Sequence, residues 1–291
     1  MTIRNPIEWS GSQLVHAAHA VRYAGNSLHH IQETIHSPVP AVRRIAIADI
    51  RDALKQGFAD FEAYRTDVIF LCVIYVALGL VLARLAFGMD MLPLLFPLAS
   101  GFAIIGPFAA IGLYEMSRLR EQGVEEKWTN AFDVFRAPAV GAISVLGLAL
   151  IATFLLWLTA AWAIYDNTLG PAEPTSIGSF LHDVFFTGPG QILMIAGIGA
   201  GFLFALLAMS ISIVSFPLLL DRDVGLDTAI RTSIRAVAAN PVPMAAWGLI
   251  VAAALVLGSI PLFLGLVVVI PVLGHATWHL YRKLVVTPPA T

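Results

Sequence analysis

Blocks of about twenty apolar residues decide what this chain can fold into, because a helix of that length matches the roughly 30 Å hydrocarbon core of a bilayer. Six segments qualify: Val68 to Phe87, Leu92 to Tyr114, Pro138 to Tyr165, Gln191 to Leu220, Met244 to Leu257 and Leu262 to Tyr281. Composition agrees. Hydrophobic residues make up 58% of the 291 residues and charged ones 12%, against roughly 45–50% and 25% in an average soluble domain. The reading is an all-α, polytopic helical membrane protein. The fourth block exceeds what a bilayer needs and is expected to tilt, kink or protrude. The fifth is short, with Pro241 and Pro243 at its start. The polar leader lacks a central apolar stretch, so no cleavable signal is expected. A net charge of −2 gives no electrostatic reason to expect nucleic-acid binding. The single cysteine, Cys72, lies inside an apolar block, which removes a disulfide framework and a cysteine metal site.

The basic residues then orient the blocks. Arg4, Arg22, Arg43, Arg44, Arg51, Lys55 and Arg65 precede the first block. Arg118, Arg120, Lys127 and Arg136 lie between the second and third, Arg222, Arg231 and Arg235 between the fourth and fifth, and Arg282 and Lys283 after the sixth. All but one of the 17 Lys and Arg residues therefore fall on one side, Arg84 being the exception. The positive-inside rule makes that side cytoplasmic, with both termini on it.

Each odd-numbered span follows a stretch with large apolar residues at offsets 0, +4 and +7: Leu54, Phe58 and Phe61, then Trp128, Phe132 and Phe135, then Ile230, Ile234 and Val237. This spacing puts the three on one helix face, with charged or small polar residues opposite. The expected unit is an amphipathic helix on the inner membrane surface followed by a hairpin of two spans, used three times. The domain map is a histidine-containing cytoplasmic leader (1–44), a six-span membrane domain (45–285) and a cytoplasmic tail (286–291). The repeat units run over about 45–115, 124–220 and 226–285.

Several stretches carry a family likeness: RTDVIFLCVIY, LARLAFG, PLLFPLASGFAIIGPFAAIGLYEMSR, FPLLLDRDVGLDTAIRTSIRAVAANPVPMAAWGLI and IPVLGHATWHLYRKLV. Over roughly Val42 to Val285 the chain resembles a bacterial family of predicted integral membrane proteins, some members of which carry a cytochrome c oxidase subunit label. The resemblance implies a bacterial inner-membrane location and a mild link to a respiratory oxidase complex. It implies no functional residue.

Coupled transporters and pumps usually place ionisable groups at mid-membrane. The interiors of the second to fifth spans contain no Asp, Glu, Lys, Arg or His. Arg84 sits about one turn from the outer end of the first span, where its head either snorkels to the interface, with Asp90 nearby, or contacts an anion or lipid phosphate. Asp67 and Glu115 are expected together at the inner end of the first hairpin. His275 and His279 share a helix face, a spacing that suits a metal collecting ligands from elsewhere. The sequence favours an interfacial belt beside Trp278 and Tyr281 for them. In the leader, His16 and His19 are one helical turn apart and are the other metal candidates. Gly197, Gly199 and Gly201 follow no strand, so they are not a dinucleotide loop. Gly101, Gly147, Gly197, Gly201 and Gly265 are expected to permit close helix packing, and Gly106-Pro107 and Pro271 to kink their spans.

No nucleophile-and-base pattern is present, so no catalytic residue, cofactor or resident metal is expected. The function these features favour is a non-catalytic accessory, structural or assembly partner of an inner-membrane complex, in contact with the bilayer and a protein partner. The alternative is a transporter or channel for a neutral or lipidic solute.

Overall fold

The computed structural model describes residues 37–64, 80, 84, 92–124, 138–170, 174, 176–261 and 263–286. The described residues are helical throughout, joined by short turns, and the extended backbone pairs only at one antiparallel bridge, Val42 with Val285. Helix α1 covers 47–64. A 3₁₀ turn at Leu92–Leu94 leads into α2 (Leu95–Ala109), then α3 (Ile111–Glu121) and α4 (Val140–Asp166). Next come α5 (Ile177–Phe186), α6 (Gly188–Ser212), α7 (Ser215–Asp221), α8 (Leu226–Ala239), α9 (Pro241–Ser259) and α10 (Leu266–Leu284).

Three helical stretches are long and apolar enough to cross a membrane: Val140–Asp166, Gly188–Asp221 and Pro241–Ser259. The bent pair α2–α3 makes up to four. The expected first span lies almost wholly outside the described residues. The expected sixth is the helix α10, whose second half carries too many polar groups to pass on length and composition. Pro241 and Pro243 do not shorten the fifth, because the first turn of a helix needs no backbone donors, so α9 starts at Pro241 itself.

Breaks in the helices have local causes. The α2–α3 pair bends by 40° at Ala110, within a turn of Pro107. The overlong fourth span breaks at Ile213 and Val214, just before Pro217, whose ring supplies no N–H. The ring leaves the Ile213 carbonyl without a helical donor, and at the break the Val214 N–H donates to Ser233 Oγ of α8 at 3.2 Å. The break turns α7 inward, with Phe216 and Leu218 completely buried.

Close packing uses the glycines named from sequence. A Cβ on Gly101 of α2 would strike Phe154 of α4, and one on Gly147 of α4 would strike Phe108 of α2. The two helices thus lock by a reciprocal ring-over-glycine contact. Gly201 packs on Trp157, whereas Gly197 faces open space, so the expected small-residue pair is divided between two roles. Gly258 and Gly265 meet backbone to backbone at the α9–α10 turn.

The core lies around the second half of α10. His275, Ala276, Leu280 and Leu284 are fully buried there, with Trp278 and Tyr281 nearly so. Helix α1 reaches this core through Ile50, Ala53 and Gly57. A Cβ on Gly57 would lie 2.5 Å from the backbone nitrogen of Ala276, an approach only glycine allows. Because the obstacle is backbone, Gly57→Leu should cost about 1–3 kcal/mol or more. A thermal unfolding scan in detergent would read it as a clear drop in Tm, and an unchanged Tm would contradict the α1–α10 contact.

Candidate functional site

The chemistry-bearing side chains gather where α1, α3 and α10 meet. Asp60 projects from the face of α1 that carries Ile50, Ala53 and Gly57, and is 5% exposed. Its Oδ2 accepts from Ser117 Oγ of α3 at 2.7 Å and from His279 Nε2 of α10 at 2.8 Å. Its Oδ1 accepts from Arg120 Nη1 at 2.9 Å, and the same nitrogen donates to the Ala59 carbonyl. The Arg120 guanidinium also lies 5.6 Å from the Tyr64 ring centre. Burial alone would raise the Asp60 pKa; the hydrogen bonds from His279 and Ser117 and the positive charge around it outweigh burial and hold it below the usual carboxylate range.

His275 completes the cluster. Its Nδ1 lies 2.8 Å from Ser117 Oγ. A serine has one proton to donate, and Ser117 gives it to the ionised Asp60, so the histidine must be the donor in that contact. The Leu113 carbonyl is a second acceptor beside the ring. His275 is therefore the neutral Nδ1–H tautomer. Its Nε2 is buried with no partner, as is the Ser215 hydroxyl. In a serine nucleophile the imidazole lone pair faces the hydroxyl. Here the polarity is reversed, so His275 does not serve Ser117 as a base.

A second set of pairs extends the attachment of α10. Trp278 Nε1 donates to Glu121 Oε2 at 3.1 Å and Arg282 reaches Glu121 Oε1 at 2.8 Å. The Tyr281 hydroxyl donates to Asp221 Oδ2 of α7 at 2.5 Å, and Arg282 Nη1 reaches the same oxygen at 3.3 Å. Lys283 Nζ bonds Asp52 of α1 at 2.5 Å, and this ammonium holds the Asp52 carboxyl below its ordinary value. Glu115 is clasped by Arg118 through two hydrogen bonds of 2.8 and 2.6 Å.

This corrects the belt reading of His275 and His279. Their Trp and Tyr neighbours suggested a lipid–water boundary, yet His275 is fully buried against α3 and His279 is spent on Asp60. No group of three or more metal-ligating side chains exists among the described residues. Arg84 is exposed and makes no ion pair among the described residues. His16, His19, Asp67, Asp90 and the Trp128/Phe132/Phe135 stripe lie outside the described residues. Sequence reasoning missed Asp60, Ser117 and Arg120. The available signal was the line Ile50, Ala53, Gly57, Asp60, a core-facing stripe of small residues ending in a carboxylate.

At the other end, a cavity of about 330 Å³ opens between the start of α2, α4, α5 and α6. Its walls include Phe96, Trp157, Phe180 and Met194, and no charged residue lines it. Helix α5 within the expected outer loop was not anticipated. A capping box between Ser176 and Ser179 starts it, and the apolar FLHDVFF run lets it pack on α6.

Residues 94–221 match a family described as predicted integral membrane protein (DUF2189). Together with the apolar helices, that decides the class. The chain is a multi-pass integral membrane protein. No curated protein and no solved structure matches it.

Two consequences of the cluster can be measured. Ser117→Ala should cost about 1–3 kcal/mol, because the buried Asp60 carboxylate loses a donor and the His275 N–H one of its acceptors. Asp60 has a depressed folded pKa, so its stabilisation is present above about pH 4 and is lost as the pH falls through the folded value. Asp60→Asn should be the less stable protein at neutral pH, with the gap closing as the pH is lowered. A constant gap in detergent unfolding between about pH 6 and pH 2 would contradict an ionised, hydrogen-bonded Asp60.

Proposed function

We propose that this protein acts by association within the membrane, as a non-catalytic accessory or assembly partner of an inner-membrane complex. In this reading it has six spans arranged as three hairpins, with both termini cytoplasmic. The observation that carries it is the closed cluster around Asp60. Its acidic, basic and hydroxyl groups are turned on one another, and the hydroxyl next to a histidine has its proton committed to a carboxylate. Such an arrangement holds helices together and does not set these groups along a path for an ion.

The outward surface supports the same reading. Only 6% of the most apolar window of the stretch Gly188–Asp221 is buried inside the protein. Ile192, Ile195, Ile198, Phe202 and Leu203 all face outward from α6, so this helix has area to offer to lipid or to another membrane helix. The respiratory link rests on the family resemblance alone. The apolar cavity beside α5 favours the alternative, a carrier of a neutral or lipidic solute.

Gentle detergent extraction from native membranes, followed by mass spectrometry, should recover the chain with a larger assembly. Liposomes holding the purified protein alone should show no ion flux. Robust uptake of a defined solute without any partner would replace association by transport. Reporter fusions test the topology: one after Thr291 should read as cytoplasmic and one near Glu173 as periplasmic.

A further inference from the structure

The basic side chains fall into two sets according to what they touch. Arg118, Arg120, Arg282 and Lys283 end on the carboxylates of Glu115, Asp60, Glu121 and Asp52, and Arg222 reaches Asp221 and the Val286 carbonyl. Arg43, Arg44, Arg51, Lys55 and Arg235 are exposed and form no ion pair within 4 Å among the described residues, although Lys55 acts on Asp52 from a longer distance. The second set is not scattered. The Asn240 side chain at the end of α8 accepts from Ile45 N and donates to the Arg43 carbonyl. That brings Arg43 and Arg44 to the α8 terminus, little more than a turn beyond Arg235. Arg51 and Lys55 follow on the first turns of α1.

Helices α1 and α8 also arrange their surfaces in one rotational order. On α1 the buried Ile50, Ala53, Gly57 and Asp60 give way to Ile47, Leu54 and Phe58, and then to Arg51 and Lys55, with Glu62 beside them. On α8 the buried Thr228, Ala229, Thr232, Ser233 and Ala236 give way to Ile230, Ile234 and Val237, and then to Arg231 and Arg235. Arg231 lies 3.9 Å from Asp227, while Arg235 has no such partner. Phe58 and Ile234, one on each apolar edge, are 47% and 46% exposed. The order protein, hydrocarbon, cation is what a helix meets at the edge of a leaflet, where aliphatic stems lie in the acyl region and cationic heads reach the phosphates.

We infer that this face binds the headgroups of anionic phospholipids, with Arg43, Arg44, Arg51, Lys55 and Arg235 on the phosphate oxygens and Ile47, Phe58 and Ile234 among the acyl chains. Guanidinium groups favour it, since their planar fork matches a phosphate. The inference needs only the membrane location of the chain and stands whether or not the protein acts by association.

Full-length protein in neutral detergent would be offered mixed micelles of phosphatidylcholine and phosphatidylglycerol, and the retained lipids read by native mass spectrometry. Phosphatidylglycerol should be retained preferentially, and less so as salt is raised. Each lost cation should weaken that preference by roughly fivefold at most. The triple variant R43Q/R44Q/R235Q should lose most of it, while R43K/R44K/R235K should keep a reduced form. R51Q/K55Q repeats the test on α1 if the glutamine triple does not stay monodisperse. Absence of any preference in the wild type would overturn the inference, as would a preference that survives neutralisation. So would recovery of an acidic protein on this face in place of lipid.

Discussion

One carboxylate inside a helical bundle must be supplied with donors from several directions, and that requirement organises this protein. Asp60 takes a serine and an arginine from α3 and a histidine from α10. Each donor fixes the rotation of its helix. The serine must sit where its oxygen can also accept from His275, which sets the depth of α10 against α3. The same contact requires α1 to come close to α10, and Gly57 is the residue that permits it. An unpaired carboxylate here would be costly, so the packing and the hydrogen bonds are satisfied together or not at all.

The rest of the molecule follows from concentrating polarity at that end. Helix α10 crosses from apolar residues such as Val268 to a half in which His275, Trp278 and Tyr281 are enclosed by α1, α3 and α7. Its polar groups are solvated by protein. Helices α4, α6 and α9 carry no ionisable residue in their interiors and pack by shape, through Phe over glycine between α2 and α4 and through Trp157 on Gly201. Helix α8 turns its small hydroxyl residues inward and leaves Ile234 outside. Such an inversion is unfavourable in water and expected beside a bilayer.

The long apolar runs were legible because a helix that must satisfy its own backbone in lipid needs little from its neighbours. The ends of α4, Val140–Asp166, fall within two residues of the block read from sequence. Features that depend on partners were not legible. The break before Pro217 leaves the Ile213 carbonyl without a helical donor, and the Val214 N–H at the break is taken up by Ser233, nineteen residues on. The belt assignment of His275 and His279 failed because Trp278 and Tyr281 suit an interface and a buried hydrogen-bond network equally well. Their use on Glu121 and Asp221 depends on helices distant in sequence. Helix α5 carried a local signal in its Ser176–Ser179 cap, but the run is too short to stand out among longer apolar blocks.

The central claim is that the His275–Ser117–Asp60 chain is a closed structural clasp, and its most direct test is the proton position on His275. Nitrogen-15 NMR of histidine-labelled protein in lipid bilayers at neutral pH should show a neutral ring protonated at Nδ1, with Nε2 bare. A neutral ring with its proton on Nε2 and a bare Nδ1 would mean that Ser117 does not direct its hydroxyl to Asp60, and the clasp as described would not exist.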